Sequence, residues 1–299
     1  MEKAYIWGAA KYGQLALEYC KNEFEIEGFI DKRAGDDFNE LCGKNVISPN
    51  SLDNINISTI VIAVTYPVDI LNFINENHLH IKNIYIFDGR NSDSLLLYKL
   101  EDNEICIPQY MDKRYAECKE YEEHYSNLSP YTLSMFEKAV DWLKTKIGGE
   151  YGICEIACGS GQFANMLFDN GFTNYIGIDF SNKAIELAKK TNPQYENNFI
   201  CADAFSFLKS YQYDVKTIFA AFEMLEHIDK DRELLEMLPT GSEIIFSVPN
   251  FKSFNHLRTF KDLNDIKGRY DMLEILDYEQ LFEDESGKNI FHLVCSKRK

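Results

Sequence analysis

The stretch Ile153-Cys154-Glu155-Ile156-Ala157-Cys158-Gly159-Ser160-Gly161 constrains the fold more than any other. A short apolar run feeds directly into a turn of small residues. A helical pattern follows through Phe163, Met166 and Leu167 and stops at Asn170-Gly171, a natural left-handed terminator. A second strand, Tyr175-Ile176-Gly177-Ile178, is closed by Asp179. Strand, glycine turn, helix and strand in this order build one half of a parallel α/β sheet. Gly159 and Gly161 let backbone amides approach a ligand at the helix N-terminus, and Asp179 can accept from a ribose diol. Several nucleotide-like cofactors use such a unit, so its neighbours must choose among them.

The chain is 299 residues long, enough for two domains, and its 45% hydrophobic content suits a buried core. A net charge of −17 disfavours nucleic acid and anionic membrane surfaces as partners. The 8 cysteines form no C-x-x-C pair and no zinc-type spacing, and Cys154 and Cys158 fit as small apolar residues of the strand and turn. The N-terminus lacks the apolar stretch of a secretion signal, and no run spans a membrane. A cytoplasmic protein is expected.

Residues 4–7 read as a strand, followed by Gly8-Ala9-Ala10-Lys11-Tyr12-Gly13 and a helical run to about Glu23. Residues 25–30 form a second strand ending in Asp31, and a polar excursion runs to Gly43. Residues 59–64 and 84–87 read as further strands, with a helix over 68–76 between them. The alternation predicts a small parallel sheet over residues 1–90, with a ligand expected near Gly8, Gly13 and Asp31. Residues 91–150 read as a mostly helical linker and cap. Pro130 opens a helix with Leu133, Phe136, Val140 and Leu143 on one face, and Gly148-Gly149 ends it.

The first unit resembles the nucleotide-sugar-binding domain of bacterial sugar acyltransferases and capsule-biosynthesis proteins. Ile6-Trp7-Gly8-Ala9-Ala10-Lys11-Tyr12-Gly13, Gly28-Phe29-Ile30-Asp31-Lys32 and Val46-Ile47-Ser48-Pro49 carry the likeness. Ala10 departs from the glycine usual in such turns. By this resemblance the module binds a nucleotide or nucleotide sugar; a docking or oligomerisation role is the alternative.

Beyond Asp179, Ser181 can cap a helix running through Ile185, Leu187 and Ala188. Residues 199–201, 217–221 and 243–248 read as strands, closed by Asp203, by Phe222-Glu223 and by Pro249. Residues 272–282 and 290–295 suggest a terminal hairpin joined by a loop containing Gly287. Residues 151–299 resemble a class I S-adenosylmethionine-dependent methyltransferase. The likeness rests on the Glu155-to-Gly161 turn, Gly177-Ile178-Asp179-Phe180-Ser181, Cys201-Ala202-Asp203-Ala204 and Glu223-Met224-Leu225-Glu226-His227-Ile228. The implied fold is α/β, with two Rossmann-like domains and a seven-stranded C-terminal sheet ending in an antiparallel hairpin. The implied cofactor is S-adenosylmethionine rather than NAD. Gly159 and Gly161 would lie along its methionine portion, Asp179 on its ribose and Asp203 at its adenine amine. Glu155, Ala157, Cys158, Phe180, Ala204 and Phe222 would complete the cofactor wall. Ala157 stands where the first glycine of such turns is usual.

Glu223, Glu226 and His227 follow the fourth strand at i, i+3 and i+4, which on a helix would share one face. The arrangement resembles that of ubiquinone-pathway O-methyltransferases and small-RNA end-methylating enzymes, where it holds a divalent ion. Two chemistries are open for an acceptor hydroxyl: an ion (magnesium, manganese or zinc) that makes it more acidic, or His227 as the base. His256 is a further ligand or substrate contact, and Arg258 and Arg269 could grip a phosphate or carboxylate. The expected function is O-methylation of a sugar, nucleotide-linked sugar or surface-glycan precursor. Small-RNA end methylation and a cofactor-sensing scaffold are the alternatives.

Overall fold

The computed structural model describes residues 1–299 except 36, 91–94, 101–104, 118, 147–150, 213–215 and 283–287. The expected stops at Gly148-Gly149 and Gly287 lie outside the described residues. Two compact units emerge: Met1–Ile105 with Ser253–His256, and Cys106–Lys252 with Leu257–Lys299.

The first unit runs β1 (Glu2–Trp7), α1 (Lys11–Cys20), β2 (Phe24–Ile30), β3 (Glu40–Leu41), β4 (Lys44–Ile47), β5 (Thr59–Ile62), α2 (Pro67–Glu76), β6 (Asn83–Asp88) and β7 (Leu96–Lys99). Its seven strands are ordered β3-β4-β2-β1-β5-β6-β7. The sheet is mixed, because β3 pairs antiparallel with β4 and β7 antiparallel with β6. The β-branched run Thr59–Ile62 is buried at every position, as a central parallel strand requires. The chain leaves β1 for β2 on one side and later for β5 on the other, so a switch point lies between β1 and β5. The sequence reading placed residues 91–150 in a helical linker, whereas β7 belongs to this sheet and the unit runs to Ile105. Four residues are too few to reveal a period, and pairing with the β6 edge decides their conformation. The ring of Phe254 joins this unit under the Arg90 guanidinium, 4.0 Å away.

The second unit opens with α3 (Pro108–Glu117) and α4 (Pro130–Lys144), the latter capped by Ser129 Oγ, which accepts from Thr132 N–H. There follow β8 (Tyr151–Ile156), α5 (Gln162–Asp169), β9 (Tyr175–Asp179), α6 (Asn182–Thr191), β10 (Phe199–Cys201), α7 (Ala204–Ser210) and β11 (Lys216–Ala221). The unit ends with α8 (Asp231–Glu236), β12 (Glu243–Pro249), α9 (Leu263–Arg269), β13 (Leu273–Phe282) and β14 (Ile290–Arg298). The seven-stranded order is β10-β9-β8-β11-β12-β14-β13, with β14 antiparallel to both of its neighbours. The expected terminal hairpin is therefore present.

Both faces of this sheet are covered. Ile153, Ile218 and Ala220 pack against Val140 of α4 and Phe163 of α5. Cys154, Ile156 and Phe219 point the other way, towards Leu208 of α7 and Leu234 of α8. The alternation of side chains along each strand divides them between the two cores. The switch point falls between β8 and β11, where chain direction across the sheet reverses.

Candidate cofactor and acceptor site

At the end of β8 the chain turns through Ala157 (φ 60°), Gly159 (φ 53°) and Gly161 (φ 75°) into α5. Gly161 is required by packing: a Cβ there would lie 2.8 Å from Asn192 Nδ2 and 3.1 Å from Ala188 Cβ. Gly159 is different. The three atoms nearest to a Cβ placed on it all belong to the side chain of Tyr115, starting with the hydroxyl at 2.9 Å. Gly159 thus makes room for the end of a side chain rather than for backbone. Ser160 Oγ is buried beside it with no hydrogen-bond partner among the described residues.

Asp179 ends β9 and is 4% exposed. Its Oδ2 accepts from Gly159 N–H at 3.0 Å and its Oδ1 from Ser181 N–H at 2.9 Å. Burial outweighs these two bonds and pushes its carboxyl up to about 6. Asp203 Oδ1 caps α7 by accepting from Ser206 N–H at 2.9 Å, with Ala204 as the first helical residue. Phe222 turns its ring inward, 4.7 Å from that of Phe163. Glu155 accepts from the Tyr175 hydroxyl, and burial pushes it up to about 8, so it carries a proton near neutrality. Cys158 is buried in the turn, where burial pushes its thiol up, and its N–H donates to Ile178 O at 2.9 Å. Phe180 follows Asp179 in a bend and is half-buried.

Three residues of this cleft escaped the sequence reading. Ser160 lies in the turn itself and could have been read there. Asp112 and Tyr115 come from α3, where no motif spacing marks them. Asp112 Oδ1 accepts from Ser181 Oγ at 2.6 Å and from Lys183 N–H at 3.1 Å.

Beyond β11 the expectation of a shared helical face fails. Glu223 has φ 49°, its N–H donates to Ser247 Oγ at 2.8 Å, and only a single 3₁₀ turn, Leu225–His227, follows. Because Glu223 stands outside that short turn and no α-helix follows, the three side chains do not align by helical spacing. Glu226 and His227 nevertheless come together: His227 Nε2 is 3.9 Å from Glu226 Oε1. Glu226 is 0% exposed and neither of its carboxylate oxygens has a hydrogen-bond partner among the described residues. Burial holds its carboxyl well above the usual range.

Arg258 does not reach outward for a ligand. Its guanidinium donates to Leu225 O at 2.7 Å, to Ile228 O and to Asp229 O at 3.1 Å, and lies 3.4 Å from the buried Asp231. Arg269 forks onto Asp231, to which the Tyr270 hydroxyl also donates at 2.7 Å. A tight loop leaves carbonyls that need donors, and Arg258 supplies them, while Arg269 pairs with the Asp231 carboxylate. His256 closes a turn by donating its N–H to Ser253 O at 3.3 Å, and the next residue, Leu257, donates to Glu226 O at 2.8 Å.

The turn after β1 looks alike in sequence but is satisfied internally. Asp31 accepts from Ala9 N–H at 2.9 Å, from Arg33 N–H at 2.9 Å and from the Arg33 guanidinium at 2.8 and 2.9 Å. The Arg33 side chain, helped by both amides, holds the carboxyl down at about 2. Gly8 (φ 115°) is demanded by its own backbone, since a Cβ would lie 2.6 Å from Ala63 O. A Cβ on Gly13 would lie 1.8 Å from Gly8 O. The same fork recurs at Asp88 and Arg90, at 2.8 and 2.9 Å.

Residues 153–239 match the family model of a methyltransferase domain, and residues 1–87 match that of the C2185-like N-terminal domain. The second match does not confirm the expected sugar-acyltransferase likeness of the first unit. No curated protein sequence matches the chain. The magnesium protoporphyrin IX methyltransferase of Synechocystis, solved with S-adenosylmethionine, is 16% identical over 56% of this chain and 79% of that one, with a TM-score of 0.43. The N-methyltransferase NodS of Bradyrhizobium japonicum, in complex with S-adenosylhomocysteine, is 13% identical over 64% and 97%, with a TM-score of 0.48. An S-adenosylmethionine-dependent methyltransferase of Anabaena variabilis is 14% identical over 64% and 93%, with a TM-score of 0.47. No described helix is long and apolar enough to cross a membrane. The glycine turn, the unpartnered Ser160 hydroxyl and the two strand-end acids all belong to or border the stretch 153–239, which is a methyltransferase domain.

Proposed function

We propose that the C-terminal unit methylates a hydroxyl group, and that the loop after β11 manages that hydroxyl's proton. The observation that carries this reading is Glu226, wholly buried with both carboxylate oxygens unpartnered, beside the His227 imidazole at 3.9 Å. An unpaired buried carboxylate is costly, so it persists where a proton, a cation or a substrate meets it. Backbone strain at Glu223, on the strand end facing the switch point, fits the same account.

S-adenosylmethionine supplies an already activated methyl group on a sulfonium, so the protein's task is alignment and proton removal. Asp179 would accept from the ribose hydroxyls, Asp203 would meet the adenine amine, and the Gly159–Gly161 turn would receive the amino-acid end. His227 takes the proton from the acceptor oxygen, and Glu226 orients the ring. The donor set also suits magnesium, manganese or zinc, because a buried orphan carboxylate beside an imidazole matches oxygen and nitrogen ligation. Glu223, Glu226 and His227 would hold the ion, with His256 as a further ligand, and it would make the acceptor hydroxyl more acidic. Arg258 positions the loop through its carbonyls.

The acceptor we favour is a sugar, a nucleotide-linked sugar or a surface-glycan precursor. Support comes from the motif residues of the first unit around Gly8, Gly13 and Asp31. Because Asp31 is bound to Arg33, we place the ligand contact of that unit on the Arg33 guanidinium and the Gly8 turn.

Methyl transfer from labelled S-adenosylmethionine to a panel of nucleotide sugars tests the reading. His227→Ala and Glu226→Gln should each lower turnover by about a hundredfold or more, with S-adenosylhomocysteine affinity within about threefold of wild type. Loss of turnover in EDTA, restored by added ion, selects the metal; indifference to EDTA selects the base. Full turnover in both variants would refute the assignment.

A further inference from the structure

The segment before the methyltransferase sheet contributes to the cleft through α3. Asp112 ties this helix to the N-terminus of α6 through Ser181 Oγ and Lys183 N–H. The Tyr115 ring packs on Ala184 and Leu187 of α6 and lies 4.4 Å from the Tyr121 ring. Further along, Gln162 Nε2 donates to Glu123 O at 3.1 Å and the Tyr125 hydroxyl donates to Asp169 at 2.9 Å. Asp112, Tyr115, Glu123 and Tyr125 therefore hold onto α5 and α6, from the start of α6 and of α5 to the Asp169 end of α5.

The Tyr115 side chain is placed unusually within this segment. It is 8% exposed, and its hydroxyl makes no hydrogen bond to the described residues. That hydroxyl stands 2.9 Å from where a Gly159 Cβ would be, and no other atom is nearer to that point. Only water satisfies this hydroxyl in the ligand-free protein, so it is free to donate to a bound acceptor. Packing does not demand it, because a phenylalanine ring would fill the same space on Ala184 and Leu187.

We propose that Tyr115 is a cofactor-binding residue whose hydroxyl donates a hydrogen bond to the carboxylate of the amino-acid end of S-adenosylmethionine. The inference rests on the cofactor reading and deepens it by naming one atom of the ligand. The geometry selects that end of the cofactor. The hydroxyl faces the glycine at the α5 entrance, where the methionine portion lies, whereas Asp179 already offers an acceptor for the ribose diol. Burial holds the phenol well above its ordinary range, and the nearby Asp179 charge adds to this, so the group stays a donor at working pH. α3 thereby makes the cofactor site depend on residues outside the 153–239 domain match.

Two ligands separate this contact from a general effect on the cleft. S-adenosylhomocysteine carries the amino-acid end, and 5′-methylthioadenosine lacks it while keeping ribose and adenine. Calorimetric titration of the full chain should show Tyr115→Phe weakening S-adenosylhomocysteine about tenfold, the effect of one hydrogen bond to a charged group. The same variant should bind 5′-methylthioadenosine as wild type does and unfold at the same temperature. Wild-type affinity for both ligands, or equal weakening of both, would overturn the proposal. Wild-type protein that binds neither ligand would overturn the cofactor reading itself, a distinct result.

Discussion

The two units carry the same sentence of structure, strand, glycine turn, helix and acid-tipped strand, yet they treat the acid in opposite ways. Asp31 is met by two backbone amides and a guanidinium fork, which hold it at about 2. Asp179 is more deeply buried and met by two amides alone, and burial lifts it to about 6. The glycines divide the same way. Gly8 and Gly13 are required by backbone atoms of their own unit, whereas Gly159 makes room for the end of a side chain from α3. One motif's acid is met by a cation of its own unit, and the other's, which we propose meets the cofactor ribose, is met by amides alone. On this reading a glycine turn with an acid does not suffice to mark a ribose site, and the acid must also lack an internal cation.

The contrast can be broken with pH. Only ionised Asp179 can accept from both amides and from ribose hydroxyls together, so S-adenosylhomocysteine affinity should fall about tenfold per unit below pH 6. The stability of the ligand-free second unit should move the other way. Asp179 is raised in the folded state, so the unfolded chain ionises first and stability drops by about 1.4 kcal/mol per unit as pH rises from about 4 to 6. Asp31 is depressed, so its contribution is complete above pH 4 and is lost only as pH falls towards 2. Chemical denaturation across pH 4–7, followed separately for each unit, reads both trends. A pH-independent affinity would remove the special status given to Asp179.

Removing the completed acid should damage the fold rather than the cofactor site. Asp31→Ala should cost about 2 kcal/mol of first-unit stability, mostly from the two orphaned amides, since the half-exposed guanidinium is screened by solvent. Methyltransferase-cofactor affinity should stay unchanged in that variant. A smaller effect is expected at Ala157, which occupies the left-handed region without being glycine. Ala157→Gly should stabilise the second unit by about 1 kcal/mol, read as a shift in denaturation midpoint. Destabilisation there would mean that the methyl group packs usefully against the cleft.

Legibility followed locality. The Glu155-to-Gly161 turn, the Asn170-Gly171 stop and the Ser181 cap are local events that neighbouring residues decide, and the structure has all of them. β7 was hidden because four residues carry no period. The phase of Glu223, Glu226 and His227 was misread because the spacing assumed an α-helix, while the strand end imposes a left-handed residue and one tight turn. Arg258 and Arg269 looked available because sequence does not show which loop carbonyls lack donors or that Asp231 is buried between them. Tyr115 and Asp112 were unreadable, since only tertiary packing brings α3 to Gly159 and Ser181. The internal completion of Asp31 did leave a mark: Asp31-Lys32-Arg33 and Asp88-Gly89-Arg90 repeat one Asp-x-Arg spacing, and both fold back into the same fork.

The central claim is that the acid lacking an internal cation is the one that binds the cofactor. Calorimetric titration of S-adenosylhomocysteine into the full chain, wild type, Asp179→Ala and Asp31→Ala, tests it in one experiment. The account predicts a single site in wild type, at least about a hundredfold weaker in Asp179→Ala and unchanged in Asp31→Ala. Undiminished binding by Asp179→Ala, or equal losses in the two variants, would contradict it.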